Sequence, residues 1–268
     1  MINYLRALEM SPYPPNWWCS VEYAKHAGWV SYRDDDDRLT MMIDSDVMSD
    51  SEYMLPPLVK FNDGFATWSR LIPPGGVWSS FANMELEYGV DLQKTFLDLE
   101  FIYDPKLFLD LSGGKWSTFR KNIGKFRRRN DRFDFEYRWA TPSDDNQIRK
   151  LIELWIGEKD EIEDGGALIN FTLDGWTRKI LVDEIGNIWA LNVWDENYKF
   201  INYRYSIVDP DRKYLDEYNR WLFYTDPLIQ SRGKLVNDGG CLGNEGLKRF
   251  KMKLNPIRVN EIFSWAVK

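Results

Sequence analysis

The sequence is poor in the two residue types that most often carry metal and nucleophile chemistry. It has one histidine, His26, and two cysteines, Cys19 and Cys241, in 268 residues. A zinc site of the cysteine/histidine type needs about four such ligands, so this class of metal centre is excluded. A Ser-His-Asp triad would have to use His26, which lies far from any nucleophile motif. The low cysteine content argues against a disulfide framework and favours a reducing compartment, so we expect a cytoplasmic protein.

Long apolar runs and a positive net charge are also absent. No stretch approaches the roughly 18 apolar residues of a membrane-spanning helix, and the N-terminus has no signal-peptide pattern. We therefore expect a soluble chain without an integral membrane segment. The formal net charge is −7, so any contact with nucleic acid must come from a local basic patch.

Only a few elements can be predicted in the first 110 residues. Leu39 to Ile43 and Lys94 to Ile102 have the pattern of strands, and Val21 to Ala27 that of a short helix. The acidic run Asp34 to Asp37 suits either a hard cation or the solvated tip of a hairpin. Adjacent carboxylates point in different directions, which favours the hairpin tip.

A basic amphipathic helix is predicted between residues 115 and 132. Trp116, Phe119, Ile123 and Phe126 recur at helical spacing and form one apolar stripe. The other faces carry a dense set of cations, namely Lys115, Arg120, Lys121, Lys125, Arg127, Arg128, Arg129 and Arg132. These faces are either simply solvated or in contact with the phosphates of a cofactor or a nucleic acid.

The pattern becomes regular after residue 132. Strands are predicted at Phe133 to Trp139, Ile188 to Trp194, Tyr198 to Val208, Leu235 to Val236 and Val259 to Ala266. Helices are predicted after Ser143, from Leu173 to Asp183 with Trp176, Ile180 and Leu181 inward, from Tyr214 to Leu222, and before Pro256.

A glycine-rich turn precedes the last of these helices, in the stretch N-D-G-G-C-L-G-N-E-G-L-K-R-F-K-M-K-L-N-P that ends at Pro256. Glycines let a ligand approach the main chain closely. The unpaired N–H groups at the start of the following helix favour an anion or a developing oxyanion. The turn and helix together are typical of one wall of an acyl-transfer site.

The order of these elements resembles that of the GCN5-related acetyltransferase (GNAT) fold. The stretch L-S-G-G-K-W-S-T-F-R-K-N-I-G-K-F-R-R-R is similar to the linker helix of the phosphatidylglycerol lysyltransferase C-terminal domain family, and the glycine-rich stretch is similar to that family's later motif. Members of the family have two tandem acetyltransferase-like folds. The resemblance implies an α+β protein with mixed central sheets flanked by helices. It also implies a degenerate N-terminal half at 1–110, a basic linker helix at 111–132 and a C-terminal acetyltransferase-like domain at 133–268.

The resemblance further implies an acyltransferase or aminoacyltransferase that moves an activated acyl group to an amine or hydroxyl without a covalent enzyme intermediate. No cofactor would be permanently bound, and the donor would be acyl-CoA or aminoacyl-tRNA. Acetyl-CoA users of this fold carry a glycine loop after the central strand, because its N–H groups cradle the pyrophosphate. The equivalent segment here, D-P-D-R-K-Y-L after Val208, has no glycine, so the identity of the donor stays open.

The candidate catalytic residues are Asp238, Glu245 and Tyr203. Either carboxylate would take the proton of the acceptor. Asp238 equally suits a turn and Glu245 the first turn of a helix. Tyr203 shares one face of its strand with Tyr205 while Arg204 lies on the other, so only one of these sets lines the site.

Two further sets of residues complete the prediction. Cys241 either has a pKa lowered by the helix N-terminus or is a small apolar filler. The candidate donor-binding residues are cations of the basic helix, the loop after Val208 and the last helix, namely Lys115, Arg120, Lys121, Lys125, Arg212, Lys248 and Arg249. Alternatively the basic helix contacts tRNA or DNA, and the protein modifies or binds nucleic acid or is a non-catalytic interaction module.

Overall fold

The structure is a computed structural model that describes residues 29–35, 38–44, 53–55, 77–79, 92–157, 176–241 and 243–267. The helix predicted at Val21 to Ala27 lies outside the described residues. No helix in these ranges is long and apolar enough to cross a membrane.

The first half of the chain contributes strands β1 (Trp29–Asp35), β2 (Arg38–Asp44), β3 (Tyr53–Leu55), β4 (Val77–Ser79) and β5 (Leu92–Tyr103). β1 and β2 pair antiparallel, with Asp35 opposite Arg38. This pairing confirms a hairpin at the acidic run. β2 and β5 confirm the two strands predicted in this half.

The basic helix is confirmed as α1 (Ser117–Arg129). The predicted stripe is buried, with Phe126 fully so and Trp116 2% exposed. The last turn presents Arg127, Arg128 and Arg129, which suit the negative end of the helix dipole.

The chain then forms β6 (Phe135–Trp139), α2 (Asp145–Gly157), β7 (Thr177–Asp183), β8 (Ile188–Glu196) and β9 (Phe200–Val208). β8 and β9 form the predicted antiparallel hairpin, with a bulge between Val193 and Trp194.

The helix predicted from Leu173 to Asp183 is wrong over its described part, because Thr177–Asp183 is the strand β7. Ile180 and Leu181 are both buried, and neighbouring strand residues point to opposite faces. β7 is therefore covered on both sides. Periodicity cannot distinguish such a short continuous apolar run from a helix.

The remaining elements are α3 (Leu215–Thr225), α4 (Pro227–Ser231), β10 (Leu235–Asn237), α5 (Glu245–Lys253) and β11 (Arg258–Val267). All of the described strands form one sheet in the order β1-β2-β3-β4-β11-β5-β10-β9-β8-β7-β6. β11, which was predicted as part of the domain at 133–268, pairs with β4 and β5 of the first half. The domain boundaries themselves stay a prediction.

One face of the sheet, which we call the α3 face, holds a continuous aromatic core. Helix α3 contributes Phe223 and Tyr224, and these rings pack with Phe108, Tyr103 and Tyr203. Phe108 and Tyr224 are stacked with ring centroids 4.0 Å apart. Such pairs add to the free energy of burial, so this face is rigidly packed.

Candidate functional site

The parallel strands β9 and β10 pair over only three residues and then diverge. The last pair in register is Asn202 with Asn237, after which β9 continues to Val208. The chain beyond Asn237 instead stays with β5, since the Asp238 amide donates to the Phe101 carbonyl at 3.0 Å and the Phe101 amide donates to the Gly239 carbonyl at 3.2 Å. We call the gap that results the β9–β10 opening.

On the α3 face, Asp238 lies in a buried ionic cluster. Its carboxylate contacts the Arg220 guanidinium of α3, and the Lys251 Nζ of α5 lies 3.3 Å away. Lys251 also donates to the Gly240 carbonyl at 2.7 Å. Burial lowers the pKa of Lys251. Burial also acts to lower the pKa of Arg220, but Asp238 and Asp216 outweigh it and the pKa is raised. The cluster ties two helices to the turn after β10.

Tyr203 borders this cluster but belongs to the core. Its ring stacks on Phe223 with centroids 4.0 Å apart, and its hydroxyl donates to Asn192 Oδ1. The Arg220 guanidinium lies 5.2 Å from the ring centroid. Burial raises the pKa of Tyr203 far above its usual range, so the phenol stays neutral.

Glu245 is separate from these two candidates. Its side chain is 70% exposed and pairs with Lys248 at 3.3 Å within the first turn of α5. Asp238 and Tyr203 are thus brought together through Arg220, whereas Glu245 faces solvent.

The opposite face of the sheet carries a row of polar residues at the β9–β10 opening. Asn202 precedes Tyr203, and Asn237 lies between Val236 of the aromatic core and Asp238 of the ionic cluster, so both asparagines point away from α3. Asp195 of β8 is the register partner of Asn202. We call this side of the sheet the Asn202 face.

The two asparagines are fully buried with unsatisfied amide groups. Neither Nδ2 nor Oδ1 of Asn202 has a hydrogen-bond partner in the described part of the chain, and the same holds for Nδ2 of Asn237. Oδ1 of Asn237 accepts from the Gly239 amide at 3.0 Å. An unmade hydrogen bond of this kind costs about 1–3 kcal/mol. Buried polar groups without partners in a native structure indicate a ligand or an ordered water.

A buried ion pair lies beside the asparagines. Asp195 Oδ2 accepts from Arg204 Nη2 at 2.8 Å, and the two side chains are 2% and 0% exposed. The Arg204 guanidinium also lies 5.3 Å from the Trp176 ring centroid. Of the two faces of β9, the face of Tyr203 is therefore core, and the face of Arg204 borders the opening.

Cys241 is buried against a carboxylate. Its amide donates to both oxygens of Asp98, at 3.1 and 3.0 Å, and its thiol to Asp98 Oδ1 at 3.4 Å. Burial and the negative charge of Asp98 raise the pKa of the thiol. A pKa lowered by the helix N-terminus is therefore wrong, and the thiol is a neutral packing group.

The predicted donor-binding cations occupy separate parts of the molecule. Lys125 Nζ donates to the Tyr214 hydroxyl at 3.2 Å, and the Arg129 guanidinium lies 5.2 Å from the same ring. Hydrogen bonding from Lys125 and the charges of Lys125 and Arg129 lower the pKa of Tyr214. In the loop before α3, Arg212 stacks on Trp189 at 4.0 Å. The end of α1 and the loop before α3 thus form one basic surface.

The other predicted donor-binding residues lie elsewhere. Arg120 donates to the Leu111 carbonyl and, at 2.9 Å, to the Gly113 carbonyl. Lys115 and Lys121 are exposed on α1, away from the loop before α3. Lys248 and Arg249 lie on α5, where both contact Glu245.

The loop before α3 uses its own amides. The Asp211 amide donates to Asp209 Oδ1 at 3.0 Å, and the Arg212 amide to the Asp209 carbonyl at 3.1 Å. Asp216 and Glu217 occupy the first turn of α3. These groups complete the hydrogen bonding and the charge that a glycine loop would offer to a pyrophosphate. Within the described ranges no cluster of three or more His, Cys, Asp or Glu side chains is arranged to hold a metal ion.

No protein-family model and no curated protein matches the sequence. The fold is similar to that of a conserved protein of unknown function from Bacteroides thetaiotaomicron, with a TM-score of 0.79 and 20% identity over 99% of this chain and 95% of that one. It is also similar to the C-terminal domain (DUF2156) of a protein described as lysylphosphatidylglycerol synthetase from Agrobacterium fabrum, with a TM-score of 0.66 and 13% identity over 99% and 91% of the two chains.

A tandem GNAT protein from the clavulanic acid biosynthesis pathway also shares the fold, with a TM-score of 0.51 and 8% identity over 98% of this chain and 93% of that one. The fold is therefore GNAT-like, and the α+β class with a mixed sheet and flanking helices is confirmed. Its neighbours of named function are acyl- and aminoacyl-transferase-like folds.

Sequence reasoning missed Asn202, Asn237 and Arg220. A signal was present for the first, because Asn202 and Arg204 are polar residues in a strand that is otherwise apolar or aromatic. No local signal distinguished Arg220 from the other charged residues of α3, since its partner Asp238 comes from a different element.

Proposed function

We propose that the protein is an acyl- or aminoacyltransferase whose reaction takes place at the β9–β10 opening, on the Asn202 face. The observation that carries this proposal is the pair of fully buried asparagines at the point of divergence, with amide groups that lack partners in the described residues. The GNAT-like fold supports the same reaction class.

The transfer is direct in this proposal. An acceptor amine or hydroxyl attacks the activated carbonyl of the donor, the leaving group departs and no bond to the protein forms. The neutral, buried thiol of Cys241 supports this route, because only a thiolate is an effective nucleophile.

A carboxylate on the Asn202 face would take the proton of the acceptor. Glu100 is 1% exposed, and it lies two residues from Ile102, which pairs with Asn237. The alternation of β5 therefore places Glu100 on the Asn202 face. Asp238 and Glu245 stay sequence-based predictions for the same role.

The donor is acyl-CoA or aminoacyl-tRNA in this proposal, and neither is permanently bound. The test offers a panel of acyl-CoA thioesters and charged tRNAs to the purified full chain and measures thermal stabilisation and product formation by mass spectrometry. We expect one donor class to raise the Tm, since a ligand that binds only the folded state stabilises it. We expect Asn202→Asp to abolish product and the exposed control Asn146→Asp to leave it unchanged.

If no donor stabilises the wild-type chain or yields product, the transferase proposal fails and a non-catalytic interaction module becomes the better explanation.

A second candidate function is nucleic-acid binding by the basic surface. The cations Lys125, Arg129 and Lys213 act on one tyrosine, Tyr214, which offers a ring for stacking beside phosphate contacts. Filter binding of RNA and DNA against salt concentration tests it. Each phosphate contact contributes about 0.7–0.9 to the slope of log K against log salt, so Lys125→Ala with Arg129→Ala should flatten that slope. The distant control Lys106→Ala should leave it unchanged, and weak binding at low salt would exclude this function.

A further inference from the structure

We infer that Asn202 and Asn237 form a recognition site for a secondary amide in the substrate, so that the β9–β10 opening accepts an amide-containing chain rather than a simple acyl group or amine. This inference rests on the proposed function and assigns the chemistry of the group that is bound. The site consists of two side chains that are 0% exposed and adjacent in register.

The unsatisfied atoms define what the ligand must offer. Asn202 has an NH₂ donor and a carbonyl acceptor without partners in the described chain, and Asn237 has a second NH₂ donor without one. Exchanging the two amide atoms of Asn202 changes nothing, because neither of them has a partner. The ligand must therefore supply at least one donor and a strong acceptor at the same place.

A secondary amide meets this requirement. Its carbonyl oxygen has two lone pairs and can accept from both asparagines, while its N–H donates to Asn202 Oδ1. An ammonium group has no acceptor, and a carboxylate or phosphate has no donor and would bring a charge into a site that holds no unpaired counter-charge of the asparagines themselves. An ester supplies the carbonyl but not the donor.

The surroundings favour a chain over an isolated water molecule. Beyond Asn202 the described chain gives β9 no strand partner on the side of β10, so an extended ligand that starts at the asparagines can continue along this strand. Main-chain hydrogen bonds to a strand edge are a common way of binding an extended chain.

Such an amide has two chemical sources, a peptide and the pantetheine arm of a thioester donor. The experiment therefore uses three probes: N-acetyl-alanyl-alanine N-methylamide, its analogue with an ester oxygen in place of the central N–H, and S-acetylpantetheine. Titrations of the full chain are followed by ligand-observed NMR, with the wild type, Asn202→Leu, Asn237→Leu and the exposed control Asn146→Leu.

We expect one of the two amide probes to bind, and the peptide to bind about tenfold tighter than its ester analogue if it is that one, since one hydrogen bond of about 1.4 kcal/mol is a factor of ten. Binding should be lost in Asn202→Leu and Asn237→Leu and kept in Asn146→Leu. The Tm of Asn202→Leu should equal or exceed that of the wild type, because a buried unsatisfied group is removed, so lost binding would not reflect unfolding.

The inference is overturned if Asn202→Leu binds the probes as the wild type does, if amide and ester peptides bind equally, or if no amide probe binds. The first result would mean that the asparagines hold only water. The outcomes are separate from those of the transfer assay. Product formation without amide binding keeps the transferase and rejects the amide site, whereas Asn202-dependent binding without transfer keeps the site and rejects the reaction.

Discussion

At the scale of single residues, the two carboxylates of the glycine-rich stretch have opposite environments. Asp238 is 5% exposed and sits between two cations. Glu245 is mostly exposed and pairs only within its own helix turn. Removing one member of a buried ion pair leaves an uncompensated charge, whereas exposed pairs contribute little to stability.

We therefore predict that Asp238→Asn lowers the free energy of unfolding by about 3 kcal/mol, since it leaves Arg220 and Lys251 without their counter-charge. Glu245→Gln should change it by less than about 0.5 kcal/mol. Urea denaturation of both variants measures the difference. Similar small effects in the two variants would contradict the buried ionic cluster.

Gly240 is a second residue whose role depends on a neighbour. A Cβ atom there would lie 1.8 Å from Asp98 Oδ2 and 2.7 Å from the Leu99 carbonyl oxygen. The glycine is therefore needed for the close approach of the turn to β5.

We predict that Gly240→Ala destabilises the protein by about 1–3 kcal/mol through overpacking. The matched control is Gly157→Ala at the end of α2, where a Cβ would meet no atom within 4 Å. The double variant with Asp98→Ala should recover part of the lost stability, because it removes the nearer obstacle. Thermal denaturation of the three variants and the wild type provides the comparison, and equal Tm values for both glycine variants would refute the close approach.

At the scale of elements, the start of α2 is stabilised by a charge that comes from β6. Arg138 of β6 donates to both oxygens of Asp144 at 2.8 Å. The Thr141 amide donates to the same carboxylate at 2.8 Å. The hydrogen bond from Arg138 is the main cause of an Asp144 pKa well below its ordinary value.

We predict that this capping contribution depends on pH with a definite sign. The folded-state pKa is depressed, so the stabilisation is present above the unfolded-state pKa of about 3.9 and is lost as pH falls towards the folded-state pKa. Asp144→Asn should cost about 1–2 kcal/mol at pH 7, as for other lost helix caps. Below about pH 4 its difference from the wild type should shrink. Urea titrations at several pH values, with the exposed control Asp131→Asn, measure this trend, and a difference that grows in acid would contradict it.

Elements were predictable where one face of a segment is apolar and the other is not. The stripe Trp116, Phe119, Ile123 and Phe126 identified α1, and turn residues around Asp195 identified the β8–β9 hairpin. β7 was predicted as a helix because both of its faces are covered, which removes the alternation that marks a half-buried strand.

At the scale of the whole molecule, β11 links the two halves of the chain. It follows α5 in sequence, yet it runs antiparallel between β4 and β5. Ile262 of β11 is fully buried and lies opposite Asp98 of β5. Loss of packing in β11 should therefore weaken the sheet on both sides of it.

We predict that Ile262→Ala lowers the free energy of unfolding by about 2–4 kcal/mol through the cavity it leaves. The control Val259→Ala, at a side chain that is 37% exposed, should cost much less. Because β11 pairs with strands of the first half, fluorescence and circular dichroism should show one coincident transition in urea. Two separate transitions for the wild type would mean that the halves unfold independently.

The sequence by itself determined the elements of the second half, the GNAT-like order in which they occur and the basic character of α1. These features depend on neighbouring residues in the chain, whose spacing sets helical or alternating burial. The scarcity of histidine and cysteine also excluded a cysteine/histidine zinc site.

Only the tertiary structure decided which polar residues are structural and which lack partners. Asp238 belongs to an ionic cluster because α3 brings Arg220 to it, and Cys241 is a neutral packing group because β5 brings Asp98 to it. Asn202 and Asn237 lie 35 positions apart in the chain but become neighbours where β9 and β10 pair for the last time. Hydrogen-bond satisfaction is a property of the folded neighbourhood rather than of the residue, so the pair could be recognised only once the register of the two strands was known.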